Sequence, residues 1–278
     1  MRVALAAPVK TERDLEAAVA AVPLWYHSIE LAPGVVTPGW FDLRPIVDAM
    51  PWPDVRGKRC LDVGTWDGFL AFELERRGAA EVMAVDIGSH EHWDWPPVLL
   101  ARGAPQSLQD MTGREQGVGF RVAKDALGSR VEHRTLSVYD LDPATIGQFD
   151  VVTCGSLMLH LRDPMRALER IRSVCRGAFL SAEQIDLTLT ALRPRRAALR
   201  LDGTSDLFQW FIPNAAGHRQ MLRASGFRLD RWTKPYAIPF GTSHPPRESG
   251  LRGAAIRGRS KALTGGDGVS HQAALAKV

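Results

Sequence analysis

Apolar and polar positions follow two rhythms along this chain, and the switch between them over residues 58–86 marks its centre. The stretch KRCLDVGTWDGFLAFELERRGAAEVMAVD opens on a short apolar run, residues 59–63, that carries Asp62 near its end. A turn with glycine at each end follows (Gly64, Gly68), then helical apolar spacing over 69–77, closed by Gly78. A second apolar run, 81–85, delivers Asp86 at its carboxyl end. The unit reads as strand, loop, helix, strand. Upstream, residues 11–22 have an amphipathic helix pattern with Thr11 as N-cap and Asp14 near the capping-box position, ended by Pro23. Residues 25–50 are aromatic and turn-rich, too irregular for a sheet core, with a helix expected over 42–50. Downstream lies a long connection in which only 117–127 looks helical, then a third strand over 130–138 and a fourth over 148–155. A helix over 163–175 has Asp163 as N-cap and Pro164 at its first position. The fifth strand covers 178–182, an insertion 187–210, a helix 215–225, and a closing strand pair 227–232 and 236–240. Strands alternating with helices imply an α/β fold around a mostly parallel sheet.

In such sheets ligands bind at the carboxyl ends of the strands, where a glycine loop admits a ligand to the backbone and a later acid takes ribose hydroxyls. Gly64, Gly68 and Asp86 occupy those places. Two ligands suit them, a dinucleotide or S-adenosyl-L-methionine (SAM). A dinucleotide site wants G-x-G-x-x-G against a pyrophosphate, and here Trp66 stands in place of the middle glycine. The remaining D-V-G-T-W-D-G resembles motif I of class I SAM-dependent methyltransferases. The resemblance implies a Rossmann-like fold with a seven-stranded, mostly parallel sheet, helices on both faces, and SAM as cofactor with S-adenosyl-L-homocysteine as product.

Composition changes this picture little. The chain of 278 residues has an ordinary apolar fraction, and its three cysteines (Cys60, Cys154, Cys175) lack C-x-x-C spacing, which speaks against a disulfide frame or a zinc site. The opening MRVALAAPVK reads as neither a signal peptide nor a span, so the expectation is a cytoplasmic protein with no metal and no membrane partner. The net charge of +4 is concentrated from Gly241 onward, where six basic residues face two acidic ones. That segment reads as a basic flexible tail rather than an RNA-binding arm. Three regions follow: 1–57, an amino-terminal helix and aromatic arm; 58–240, the methyltransferase domain; and 241–278, the tail.

The segments FDVVTCGSLMLHLRDPMRALERIRSVCRGAFLSAEQID and QWFIPNAAGHRQMLRASGF narrow the resemblance to the bacterial family that completes 5-carboxymethoxyuridine at the tRNA wobble position. Over roughly residues 25–235, Asp62, Gly64 and Gly68 match its cofactor loop, Asp86 its ribose acid, Asp150, Gly155 and His160 its fourth-strand segment, and Phe211, Ile212, Pro213 and Asn214 its F-I-P element. Thr65, Ile87, Ser137 and Val138 complete the cofactor-binding candidates. Leu159 replaces the family's tyrosine that helps to hold the carboxylate of carboxy-SAM, and its arm lysine has no counterpart near residues 25–31. An unpaired buried carboxylate is costly, so plain SAM is the expected donor.

Methyl transfer from a sulfonium is an in-line displacement assisted by alignment in a water-poor pocket, with a base where the acceptor is a hydroxyl. His160 is the first candidate base, His27 the second and Glu183 the third, each with the alternative of a scaffold hydrogen bond. Trp25, Tyr26, Trp40, Trp210 and Phe211 are the substrate-contacting candidates, alternatively packing residues. Trp93 and Trp95 are candidates to flank the adenine. The leading reading is transfer of a methyl group to a hydroxyl of a small-molecule acceptor. A tRNA acceptor held by Arg193, Arg195, Arg196 and Arg200 is the alternative, and a non-catalytic SAM-binding protein a third. Asp86→Ala is expected to weaken SAM binding with the fold kept.

Overall fold

The computed structural model describes residues 11–113, 115–204, 208–246 and 250–278. Its centre is one sheet built from β1 (Arg59–Val63), β2 (Glu81–Asp86), β3 (Glu132–Thr135), β4 (Phe149–Gly155), β5 (Cys175–Gln184), β6 (Arg228–Trp232), β7 (Tyr236–Pro239) and β8 (Gly268–Lys277). The spatial order is β6-β8-β5-β4-β1-β2-β3, with β7 also on β8. Strands β1 to β5 are mutually parallel, whereas β8 runs antiparallel to β5, β6 and β7. The chain leaves β1 towards β2 on one side and later returns to place β4 on the other. That reversal opens a crevice above the carboxyl ends of β1 and β4.

The central strands are buried on both faces, which is why they read as near-continuous apolar runs. On one face α2 (Phe69–Arg76) and α3 (Val118–Leu127) pack Phe72, Leu74, Phe120 and Ala123 against Cys60, Val82 and Ala84, and α1 (Glu12–Ala20) joins them through Leu15 and Val19. On the other face α4 (Pro164–Val174) and α5 (Ala215–Ala224) set Leu168, Ile171 and Leu222 against Leu61, Val63, Val152 and Phe179. The caps read from the sequence are present: Thr11 and Asp14 form a capping box, and Asp163 accepts from the Arg166 backbone at the start of α4.

Several expectations change. The segment 241–278 is not a flexible tail. It holds α6 (Gly250–Thr264) and then β8, whose residues Ala273, Ala274, Leu275 and Ala276 are at most 1 % exposed. The sheet therefore continues past residue 240, and β6 and β7 do not pair with each other but lie end to end along one edge of β8. Residues 42–50 form turns with a single 3-10 turn, Val47–Ala49, since Pro45 and Pro51 bracket a segment too short to nucleate an α-helix. The long connection after β2 contains two further helices, Pro97–Leu100 and Ala104–Thr112, each begun by proline in its first turn. The aromatic arm makes two small ladders outside the sheet, Trp25–His27 with Gly39–Phe41 and Glu30–Ala32 with Val35–Val36.

Candidate functional site

The loop after β1 is shaped by backbone that favours glycine. Gly64 and Gly68 have φ of 72° and 94°, and a Cβ on Gly68 would lie 2.4 Å from the Phe72 ring. Trp66, between them, is also left-handed at φ 50°. Asp86 fixes this turn: its carboxylate accepts from the Trp66 N–H at 2.7 Å and from the Ile87 N–H at 2.8 Å. The acid thus has a structural role as well, and Asp86→Ala would strip two backbone donors of their partner. Alanine there is therefore expected to loosen the loop as well as to weaken SAM binding. Asp62, buried, accepts from the Thr153 hydroxyl at 2.7 Å, and burial holds its pKa above the ordinary carboxylate value despite that hydrogen bond.

A third carboxylate completes the ring. Asp67, 1 % exposed, accepts from the backbone N–H groups of Tyr26 (2.9 Å) and His27 (2.7 Å), and one oxygen pairs closely with His27 Nδ1. This contact ties the arm to the loop. Burial pushes Asp86 up to about 6, Asp62 and Asp67 add to the rise, and the two backbone donors oppose it. Three carboxylates around one glycine loop would repel a pyrophosphate and favour a ligand bearing a sulfonium and an ammonium. The residues present therefore fit SAM. Beside the loop lies a cleft of about 400 Å³, lined by Trp66, Asp67, Asp86, Ile87, His133 and Thr135 among others. Ser137 accepts from the Tyr139 N–H (3.3 Å), Val138 is core, and Leu70 fills the space beside Gly155, so these three stand off that cleft.

Beyond the loop is an aromatic mouth. Trp66 meets Tyr26 (5.8 Å between ring centroids) and Trp93 (6.1 Å), and Trp93 stacks on Trp95 and approaches His160 (5.5 Å). Trp95 is a buried anchor whose indole donates to the His90 carbonyl, so it does not flank an adenine, whereas the Trp93 indole nitrogen is buried without a partner among the described residues. Asp94 clamps the mouth: it accepts from the Tyr139 hydroxyl and the Arg162 N–H, and its carbonyl accepts from the Trp210 indole. His160 Nδ1 lies 2.8 Å from the Phe208 carbonyl. A carbonyl only accepts, so Nδ1 carries the hydrogen and Nε2 keeps its lone pair. Burial lowers the His160 pKa below the ordinary imidazole value, keeping the ring neutral.

Glu183, at the end of β5, is buried, accepts from the Met158 N–H at 3.2 Å, and is raised by burial to about 8. It bears on both Tyr26 and Tyr236, whose hydroxyls it helps hold well above their ordinary pKa behind the larger effect of burial. Trp25 is a correction. It is 2 % exposed, its indole donates to the Val19 carbonyl (3.0 Å) and it packs on Gly119, so it anchors the arm and cannot touch a substrate. Trp40 contacts His244 instead of the mouth aromatics, and Trp210 stacks on Phe211 at 6.4 Å. Arg200 is paired with Asp186 and Asp202, while Arg193, Arg195 and Arg196 are exposed. Asp67 is the functional candidate that sequence reasoning does not single out, because its partners Tyr26 and His27 lie far off in the chain.

No protein-family model matches the chain. The ubiquinone biosynthesis O-methyltransferase of Acinetobacter baumannii (strain ACICU) is 27% identical over 214 residues, covering 70% of this chain and 79% of that protein. The protein of the same name from Neisseria meningitidis serogroup C is 38% identical over 111 residues, 40% of this chain and 37% of that one. Among solved structures, the cyclase SpnF matches with a TM-score of 0.51 and 18% identity, covering 95% of this chain and 92% of that one. The chain has the class I SAM-dependent methyltransferase fold. Likeness to a cyclase shows that this methyltransferase fold does not by itself dictate the reaction. Among the described residues of this methyltransferase fold no helix is long and apolar enough to cross a membrane.

Proposed function

We propose that the chain is a SAM-dependent O-methyltransferase that methylates a hydroxyl of a small, apolar acceptor seated in the mouth formed by Trp66, Trp93, Phe208 and His160. The observation that carries the reading is His160, whose Nδ1 hydrogen bond to Phe208 leaves Nε2 as a proton acceptor within an aromatic wall beside the acid-lined loop. SAM, when bound, supplies an electrophilic methyl on a cationic sulfur. Asp86 takes the ribose hydroxyls, and Asp62 and Asp67 favour the positive end of the ligand. The aromatic rings would exclude water and align the acceptor, and His160 would take the hydroxyl proton as the oxygen–methyl bond forms and the sulfur–methyl bond breaks, its electron pair staying on the sulfur of the departing S-adenosyl-L-homocysteine. His27, held by Asp67, fixes the arm over the loop, and Glu183 holds the turn after β4 through the Met158 N–H.

The name of the relatives supports an acceptor of this kind, since it places them in quinone biosynthesis as O-methyltransferases. The test is incubation with methyl-labelled SAM and cell extract separated into tRNA and small-molecule fractions. Label in organic-extractable product is expected. Label in RNase-sensitive material would overturn the small-molecule assignment and restore the wobble-uridine resemblance, with Arg193, Arg195 and Arg196 as the phosphate contacts. Absence of label from both fractions, with SAM bound, would favour a non-catalytic protein.

A further inference from the structure

Among the described residues, Trp66 is the one ring that the cleft and the aromatic mouth share. Of the four side chains that form the mouth, Trp66 lines the cleft beside Asp86, whereas Trp93, Phe208 and His160 do not. A methyl group that leaves the cofactor for an acceptor has to cross from cleft to mouth, so the reacting sulfur comes to lie at this ring. The ring is held there through its backbone. Trp66 is left-handed at φ 50°, a conformation that bulky residues seldom adopt, and its N–H donates to Asp86 at 2.7 Å. Two further rings build a corner around it: Trp93 stands at 81° to Trp66 with 6.1 Å between centroids, and Tyr26 at 47° with 5.8 Å. Trp66 is partly exposed, while Asp62 and Asp67, before and after it in the chain, are buried.

We infer that Tyr26, Trp66 and Trp93 form an aromatic corner that reads the positive charge of the SAM sulfonium. The inference rests on SAM as the ligand of the loop and not on the identity of the acceptor. The face of an aromatic ring is negative, that of indole most of all, and it attracts a cation lying within about 6 Å of the ring centroid. The attraction grows where water is excluded, as it is between packed rings. Asp67 is already engaged by His27 and by two backbone N–H groups, and Asp86 by two more, so the rings are the groups left open towards the sulfur. S-adenosyl-L-homocysteine keeps the adenosine and the amino acid of SAM, but its sulfur is neutral and has lost the methyl group. It retains every other contact and forfeits this one. The corner therefore tells cofactor from product, and it loosens the product once the methyl group has gone.

The test is calorimetric titration of the full chain, without acceptor, with SAM, with S-adenosyl-L-homocysteine and with sinefungin, in which an amine-bearing carbon replaces the sulfonium and keeps a positive charge. Trp66→Leu preserves the backbone N–H that Asp86 accepts. It is expected to weaken SAM and sinefungin by about 5–30-fold and S-adenosyl-L-homocysteine by less than about twofold. Trp66→Phe, which keeps a smaller ring, should lose only part of that selectivity. Trp93→Leu, outside the loop, should move the ratio of SAM to S-adenosyl-L-homocysteine affinity in the same direction, so the inference does not hang on the folding of one variant. An equal loss for all three ligands would make the rings mere packing, and an unchanged ratio in both leucine variants would remove them from the sulfur; either result overturns the inference while leaving SAM as the cofactor. Parent protein that binds none of the three ligands would overturn both.

Discussion

Asp86 is held in two ways at once, by two backbone donors that want it ionised and by burial beside Asp62 and Asp67, which keeps its pKa near 6. A ligand bringing a cationic sulfur and two ribose hydroxyls favours the carboxylate, so binding should lower that pKa. SAM binding at pH 6 is therefore expected to release protons, and affinity should climb as pH rises to about 7 and then level. Calorimetry in buffers of different ionisation enthalpy measures this directly, and a proton count of zero at pH 6 would remove Asp86 from the cofactor site. Asp86→Asn, which removes the charge but keeps the shape, should weaken SAM by roughly tenfold to a hundredfold and erase the pH dependence. His160→Gln should leave SAM affinity intact while kcat falls by about 10²–10⁴. The wild-type rate should show an acidic limb below the ordinary imidazole value, because burial lowers the His160 pKa; a limb at or above that value would point to another base. At this scale the sequence was informative where chemistry is local: Asp62, Gly64, Gly68 and Asp86 belong to one contiguous unit. It was silent where the partner is remote, as for Asp67 and His27, forty residues apart. Trp25 and Tyr26 are adjacent aromatics that strand alternation sends opposite ways, and sequence alone does not say which turns inward.

Among the elements, β8 was the least visible. Its buried stretch is His-Gln-Ala-Ala-Leu-Ala, polar and mostly small residues with little strand preference, and the basic residues of α6 before it gave the whole segment the look of a tail. The opposite holds for α4, whose Asp-Pro start announces both its boundary and its cap. If β8 closes the sheet, Ala274→Asp should place an unpaired charge against Val152 and Phe179 in the core and cost more than about 4 kcal/mol. Lys261→Glu, an exposed change in α6, should be tolerated. Soluble yield and thermal melting compare them, and an Ala274→Asp protein that melts like the parent would refute the placement of β8.

For the molecule as a whole, the buried titrating groups set a pH profile of stability. The native state holds a proton on Glu183, raised to about 8, that the unfolded chain has lost above its ordinary value of 4.5, so this group costs stability as pH rises between the two. His218 and His271, lowered to about 4, act oppositely: the unfolded chain keeps a proton that the native state lacks, so stability climbs from pH 4 to 6.5. These contributions oppose each other below pH 6.5. Above it Glu183 acts alone among the three, and stability should fall by about 1.4 kcal/mol per pH unit, or about 2 kcal/mol by pH 8. Melting temperature against pH reads this out, and Glu183→Gln should flatten the alkaline side.

The position of β8 also governs the order of assembly on the ribosome. The five parallel strands are complete once Gln184 has been made, yet β5 has no neighbour on its outer edge until Lys277 exists, and β6 has nothing to pair with before then. At synthesis rates of roughly 5–20 residues per second, that ten-residue edge waits for about 5–20 s with its backbone donors and acceptors free. An open apolar edge is a template for other nascent chains. The yield of this protein in a cell is thus tied to whatever shields β5 during those seconds, and any pause between residues 184 and 277 lengthens its exposure.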